Sequence, residues 1–454
     1  MSLLPDSLTQ RIDFHEFKPD NLVSLLGIPE PAFIPSDEAC RQLRYIGKYI
    51  ARLECKGLAI ESHYIDRDYM EDHGIFYSRN LKSYPNFCQR IHFFLSPSSE
   101  VKRKLQKLIS LGRTKGEAAY RLACQKFSAK EYLGFSVIKP LEGCPVGRTI
   151  LRSFAEDAGN GEKRRFGCTR LYNTHLAGIE LTVRGLIFQQ QDTGVSACAT
   201  TALWSALNKL RDYEDIAAST PARITNLASQ FTLPFGRAMP SEGLSIDQMC
   251  QAVQALGVSP NLYKADEFAV AKGYIHSATA SNVPSVLILY NEKQQAHHAV
   301  TVTGMKINAN QKYELLKPGL GDRAGEMIAL YLHDDRLGPY VKATIKRETR
   351  SNRMKLKLVC SIDDAVGGAC TEEEWLLTHI LIPMHGKVRL TFSGLREIAQ
   401  NAAGKVRALR EVYLGPNKAG DVAFETLIIR SHTFIEKHFL SSDNSLKGVS
   451  ISLS

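Results

Sequence analysis

None of the ten cysteines (positions 40, 55, 88, 124, 144, 168, 198, 250, 360 and 370) falls in a CxxC pair or in a Cys/His spacing of the zinc-ligand type. That absence excludes the zinc-finger classes, and no metal or other cofactor is expected. In a reducing compartment the thiols stay free, most of them as packing residues. No run approaches the ~18 consecutive apolar residues of a membrane span. The opening MSLLPDSLTQRIDFHEF lacks a basic start followed by an apolar core, so no secretory signal is read and a cytoplasmic, non-membrane protein is expected. No internal repeat or low-complexity tract occurs. Aromatic residues do not interleave with the basic runs, which weighs against stacking on single-stranded nucleic acid.

What is present is ordinary for a globular chain: 44% hydrophobic and 23% charged residues over 454 positions, enough for two or three domains with packed cores. The net charge of +10 is unevenly spread. Its densest stretch is VKATIKRETRSNRMKLKL (341–358), with seven basic residues against one acid. Such runs most often face water, and the functional alternative is a cradle for an acidic partner.

Residues 1–165 read as a mixed α/β region without a chemical motif: an irregular Pro-rich start, a helix from Ser36 and Asp37, strands at 57–65 and 90–95, helices at 98–112 and 115–127, and further strands. The polar, Gly-bearing AEDAGNGEKRR (155–165) reads as a surface loop and boundary. A core over 166–345 follows as strand, helices, then strong β runs at 285–290, 299–305 and 327–332. That segregation favours an α+β class over alternating βαβ. Residues 346–454 add strands, including KVRLTF (387–392), and helices at 393–409 and 424–440 as a C-terminal α/β extension.

The segment QQQDTGVSACATTALWSALNKL (189–210) carries the chemistry. Apolar residues from Ala199 recur at helical spacing, Gly194 breaks the chain, and Ser196 is placed to cap the first free amides. Cys198 then sits in the first turn, where the helix dipole favours a thiolate. A thiol nucleophile needs a base, a group that orients the base, and oxyanion donors. His297 and His298 stand where a polar hairpin enters an apolar strand. Asp334 continues the face of Leu330 and Leu332, with Asp335 beside it. Gln190 or Gln191 is close enough in sequence to lend a carboxamide.

In the order Gln, Cys, His, Asp, the segment resembles the papain-like superfamily, nearest its bacterial double-glycine leader peptidase branch. The likeness rests on QDTGVSACATTAL, GLSIDQMCQAVQALG, NVPSVLILY, HHAVTVTGM and YLHDD, roughly residues 186–340. It implies a helical part, with Cys at a helix start, packed on an antiparallel sheet. It also implies a cysteine peptidase that hydrolyses a peptide or isopeptide bond through an acyl-enzyme. By match, Gln191 polarises the oxyanion, Cys198 attacks, His298 is the base and Asp334 orients it. Gln190, His297 and Asp335 are the alternatives. The family has Gln six residues before Cys. Here that place is Asp192, and Gln191 is one further out.

The expected partner is a protein or peptide substrate, selected for acidity by Lys346, Arg347, Arg350 and Arg353, with nucleic acid as the weaker class. The same apparatus also serves deamidases and acyltransferases, and a non-catalytic basic partner-binding protein is the alternative of a different class. Sequence alone sets neither the substrate nor the oligomeric state.

Overall fold

The computed structural model describes residues 12–19, 22, 37–192, 194, 195, 197–211, 216–230, 243–308, 310, 313–348, 351–359, 372–386, 388, 391–416 and 418–428. The expected caps and sites at Ser196 and Arg350, the expected helix beyond residue 428, and most of 387–391 lie outside them.

The N-terminal half is built on a six-stranded sheet of β1 (Ile12–Glu16), β2 (Gly57–Tyr64), β3 (Cys88–Phe94), β4 (Tyr132–Ile138), β5 (Val146–Leu151) and β6 (Ile187–Phe188), paired in that order. Every residue of β3 and β4 is buried, as near-continuous apolar runs covered on both faces require. Helices Ser98–Thr114 and Glu117–Glu131 help cover this sheet.

The second half closes on itself. Strands β7 (Val286–Asn291), β8 (Ala296–Asn308), β9 (Met327–Asp334), β10 (Gly338–Arg347), β11 (Met354–Val359) and β12 (Glu372–His385) pair antiparallel in sequence order. The last, β12, returns to pair with β7, with Val286 opposite Leu381. The result is a six-stranded antiparallel barrel, which leaves no edge among its staves. Its filling is apolar: Leu287, Leu289, Val300, Val302, Leu330, Leu332, Leu356 and Ile380 are buried in one core. The outer strand Val258–Lys264 extends the sheet beside β12. The stretch read as a loop at 155–165 is instead a β-hairpin, Asp157–Gly159 with Glu162–Arg165, laid along β8. Asn160 and the flanking Gly159 and Gly161 take positive φ there, so the reversal is tight enough to form strands.

These sheets correct the papain-like expectation for the fold. A helical part resting on one antiparallel sheet is replaced by several separate sheets, one of them closed into a barrel, with the helices dispersed among them. The cause is long-range: β12 pairs with β7 across four intervening staves, and that pairing closes the barrel.

Two helices join the halves. Helix α1 (Asp37–Arg52) buries Leu43, Ile46, Tyr49 and Ile50 against the barrel side, the spacing of a single helical face. It meets the turn before β10 closely. Gly338 has φ +149°, and a Cβ there would lie 2.3 Å from the Tyr45 ring. Helix α2 (Cys198–Leu210) is buried along nearly its whole length. The Ala202 carbonyl accepts from Thr301 Oγ1 on β8 at 2.7 Å, and Ser205 Oγ donates to the Ile187 carbonyl of β6 at 2.8 Å. It is thus wedged between the barrel and the six-stranded sheet. Its N-cap is Ala197, which offers no side-chain cap. Tyr340, held at φ +57°, adds a third tie: its hydroxyl accepts from the Leu186 amide and donates to the Leu151 carbonyl.

Candidate metal centre at the barrel rim

His298 lies near the start of β8, opposite Leu289 of β7, and is only 3% exposed. Asp334 ends β9 and Asp335 begins the turn, with 0% and 3% exposure. Successive strand residues ordinarily point to opposite faces. Here the register of β9 against β10 shifts between Leu332 and Asp334, and the chain turns at once, so both carboxylates reach the same imidazole. His298 Nε2 is 3.2 Å from Asp334 Oδ1 and 3.7 Å from Asp335 Oδ1. Asp334 Oδ1 also accepts the amides of Arg336 and Leu337, an Asx-type turn that fixes its direction.

Neighbouring groups complete the shell. Arg336 Nε stands 3.4 Å from His298 Nε2, its Nη2 is 3.0 Å from Glu373 Oε2, and its guanidinium lies 4.9 Å over the Trp375 ring. Trp375 also faces His298, with ring centroids 5.5 Å apart. From α1, Gln42 Nε2 donates to the Asp335 carbonyl. The Cys198 thiol, half-exposed at the head of α2, hydrogen-bonds the His298 imidazole.

Burial alone would lower the His298 pKa. The Asp334 carboxylate, with help from Cys198 and Asp335, overrides it and lifts the value to about 10. For Asp334 burial acts upward, yet the charges of His298 and Arg336 hold it below the usual carboxylate range. Asp335 is raised, first by burial, with the Asp334 charge adding to it against the pull of His298 and Arg336. Two carboxylates this close share their counter-charges unequally.

The donor atoms of His298, Asp334 and Asp335 all lie within 4.8 Å of one another, and the Cys198 sulfur is not one of that group. Asp334 Oδ2 and both carboxylate oxygens of Asp335 are buried without a hydrogen-bond partner. A buried carboxylate oxygen left unpaired is costly, so three in one place ask for a cation. Bonds of about 2.0–2.2 Å to one ion put neighbouring ligand atoms roughly 3.3–3.6 Å apart, near the 3.2 and 3.7 Å that separate His298 Nε2 from the two carboxylates. Cys/His spacing gave no hint of this set, because it joins two strand ends that are far apart in sequence. The available signal was weaker: polar residues terminating strongly apolar strands.

The other expected residues fare differently. His297 is exposed and stacks on Tyr290 at 4.9 Å. Gln190 is turned away, its Oε1 accepting the Val146 amide and its Nε2 donating to the Gly143 carbonyl. Asp192, in the place where the resemblance wants a glutamine, is buried in an ion pair with Lys139 and caps the amides of Gly194 and Val195. Gln191 is half-buried and makes no hydrogen bond to Cys198 or His298 among the described residues. Lys346 pairs with Glu374 at 2.7 Å, Arg347 covers the Phe268 ring at 4.4 Å, and Arg353 donates to the Leu377 carbonyl at 3.4 Å. The basic stretch is thus largely a hairpin of barrel staves, β10 and β11.

The cysteine-peptidase expectation, with the thiol-protease and hydrolase assignments it carried, is corrected on these grounds. Hydrolysis of a polypeptide through a thiol needs a donor for the oxyanion and an imidazole free to serve as base. No carboxamide of Gln190 or Gln191 is brought to Cys198, and the imidazole is committed to a pair of carboxylates in a metal-capable group. A cavity of about 360 Å³ opens elsewhere on the barrel, between Asn291, Lys355, Lys357 and Glu373. No family model matches the chain, and no curated protein matches it significantly. No helix among the described residues is long and apolar enough to cross a membrane.

Proposed function

We propose that this protein is a divalent-cation-binding protein of a non-peptidase, partner-binding class, with its cation held by His298, Asp334 and Asp335. The observation that carries the reading is that one ligand atom each from His298, Asp334 and Asp335 lie within 4.8 Å of one another, while Asp334 Oδ2 and both Asp335 oxygens are buried without a hydrogen bond. One imidazole and two carboxylates form a donor set for a borderline first-row ion such as Zn²⁺ or Mn²⁺. The ion would fix the turn at 334–337, where Gln42 of α1 grips the barrel, and so would couple cation occupancy to the joint between the two halves. Metal analysis of the purified protein, followed by titration of chelator-treated protein with Zn²⁺ and Mn²⁺, tests it. Binding near one equivalent that Asp334→Asn and Asp335→Asn each abolish is the expected result. Absence of binding by well-folded wild type overturns it.

A second reading rests on the hydrogen bond between the half-exposed Cys198 thiol and His298. Acyl transfer through that thiol, from a small donor approaching from solvent, uses the contact. Mass spectrometry after incubation with small thioesters distinguishes it: a stable adduct confined to Cys198, lost in Cys198→Ala, favours this reading, and labelling spread over other thiols removes it.

A further inference from the structure

Arg336 already stands where a cation is wanted. Its Nε approaches His298 Nε2 at 3.4 Å and Asp334 Oδ1 at 3.8 Å. Nε2 is a single atom with a single site. If it carries a proton, it donates to Asp334 and turns a like charge toward Arg336. If it does not, its lone pair accepts either the Arg336 Nε–H or a metal ion, but not both. The guanidinium and a divalent ion therefore compete for the same nitrogen and the same carboxylate. Asp335 feels the Arg336 charge but receives no hydrogen bond from it: both of its carboxylate oxygens are buried without a hydrogen-bond partner, at 3% exposure.

The far side of Arg336 is built for an alternative position. Glu373 holds Nη2 at 3.0 Å, Trp375 offers its ring face, and the Trp375 Nε1–H fixes the same Glu373 oxygen at 3.0 Å. Glu373 in turn lines the 360 Å³ cavity, and the Arg336 side chain retains 24% exposure. The guanidinium can thus withdraw toward solvent while keeping a carboxylate and an aromatic face.

Resting on the cation reading above, we propose that Arg336 is a tethered competitor: a built-in cation that occupies the seat of the His298–Asp334–Asp335 centre and that a divalent ion must displace onto the Glu373–Trp375 side. Such a device sets a threshold, because the site fills only when free metal outweighs a guanidinium held at high local concentration.

Calorimetric titration of the full-length chain with Mn²⁺ and with Zn²⁺ tests this. Removing a unit charge within 4 Å of the seat should tighten binding of either ion by about tenfold or more in Arg336→Met. Arg336→Lys, which keeps charge but loses the fork, should fall between Met and wild type. Asp335→Asn added to Arg336→Met should abolish the gain and so place the ion at this centre. If wild type binds metal and neither Arg336 variant binds it more tightly, Arg336 is a bystander and the proposal fails while the cation reading stands. If wild type and both variants are folded by circular dichroism and none binds either ion, the cation reading fails and the competition with it. Should the Met variant not fold, the Lys variant decides: affinity equal to wild type overturns the proposal, and several-fold tighter binding supports it.

Discussion

The six-stranded sheet and the barrel each bury one histidine beside an acid and an arginine, and the two clusters end in opposite states. In the sheet, His92 is bonded at both ring nitrogens, Nδ1 to Tyr132 Oη at 2.7 Å and Nε2 to Glu61 at 3.1 Å. Arg90 divides its donors among Glu61, Thr174 and the His175 carbonyl, with its plane 3.8 Å over Tyr64. One carboxylate serves two nitrogenous partners, and no side-chain atom of Glu61, Arg90 or His92 is left over. At the barrel rim two carboxylates share one imidazole and one guanidinium, and three oxygens are left over. The same residue types close a network in one place and leave it open in the other. What differs is the ratio of acceptors to donors, and an excess of buried acceptors is what a cation answers.

The sharpest way to break the comparison is to remove one member from each cluster in chelator-treated protein. Arg90→Ala leaves Glu61 with neutral His92 as its remaining partner in the sheet and should cost about 3 kcal/mol. Asp335→Asn removes a charge that faces His298 only at 3.7 Å and is repelled by Asp334, and should stay within about 1 kcal/mol of wild type, on the stabilising side if that repulsion dominates. Shifts in urea midpoint read both. Equal losses would mean that the rim is as satisfied as the sheet. With metal restored at about 100 times Kd, wild type and Arg90→Ala should each gain roughly 2.7 kcal/mol and Asp335→Asn nothing. A gain in Asp335→Asn would move the ion elsewhere.

Part of this contrast was legible beforehand. The apolar runs at 285–290, 299–305 and 327–332 form parts of β7, β8 and β9, because strands buried on both faces must be apolar throughout. His298, Asp334 and Asp335 stood out as polar residues where such strands end. Closure of the barrel was hidden, since β12 and its partner β7 are separated in sequence by the other four staves. The segment near 424 that reads as the start of a helix is the strand Val422–Phe424, drawn into parallel pairing with Leu320–Asp322 by tertiary context. Arg336 and Gln42 gave no sign either: one reaches back over the turn and the other comes from a distant helix. The likeness to a peptidase drew on residue types in order, and order does not reveal that Gln190 is turned away or that Asp192 is spent on Lys139.

Protonation offers a finer probe of the same two histidines. Burial pushes His92 down to about 4, more than its bond to Glu61 restores, so it is neutral in the fold. Between pH 6.5 and 4 the unfolded chain takes up a proton there that the folded chain does not, and stability falls as the pH drops. Its contribution approaches ~1.4 kcal/mol per pH unit, and His92→Gln should flatten the acid limb by about 1 kcal/mol per unit if Gln keeps the bonds. His298, raised to about 10, has the opposite sign. Its contribution is fully present below pH 6.5 and disappears as the pH climbs through 10. In chelated protein His298→Gln should therefore flatten the alkaline limb, and, because the His298 charge also holds Asp334 down, it should soften the loss of stability in acid where Asp334 titrates. An alkaline limb as steep in His298→Gln as in wild type would show that the rim histidine is neutral, like its counterpart in the sheet.

The smallest effect should come from charges that are paired but wet. Lys346 and Glu374 meet at 2.7 Å on adjoining parts of the barrel, yet their side chains are 47% and 50% exposed. When one partner is removed, water rehydrates the other, so the loss is only the modest attraction in high dielectric minus the entropy of holding two long chains together. Lys346→Ser should cost less than about 1 kcal/mol, shrink further in high salt, and leave metal affinity at the rim unchanged. The separation at this pair is shorter than the one between His298 and Asp334, so distance alone would rank it the stronger. A loss above 2 kcal/mol from Lys346→Ser, insensitive to salt, would show that contact distance sets the cost of breaking a charge pair in this protein. A small, salt-dependent loss leaves burial and acceptor excess as the quantities that separate the rim from this exposed pair.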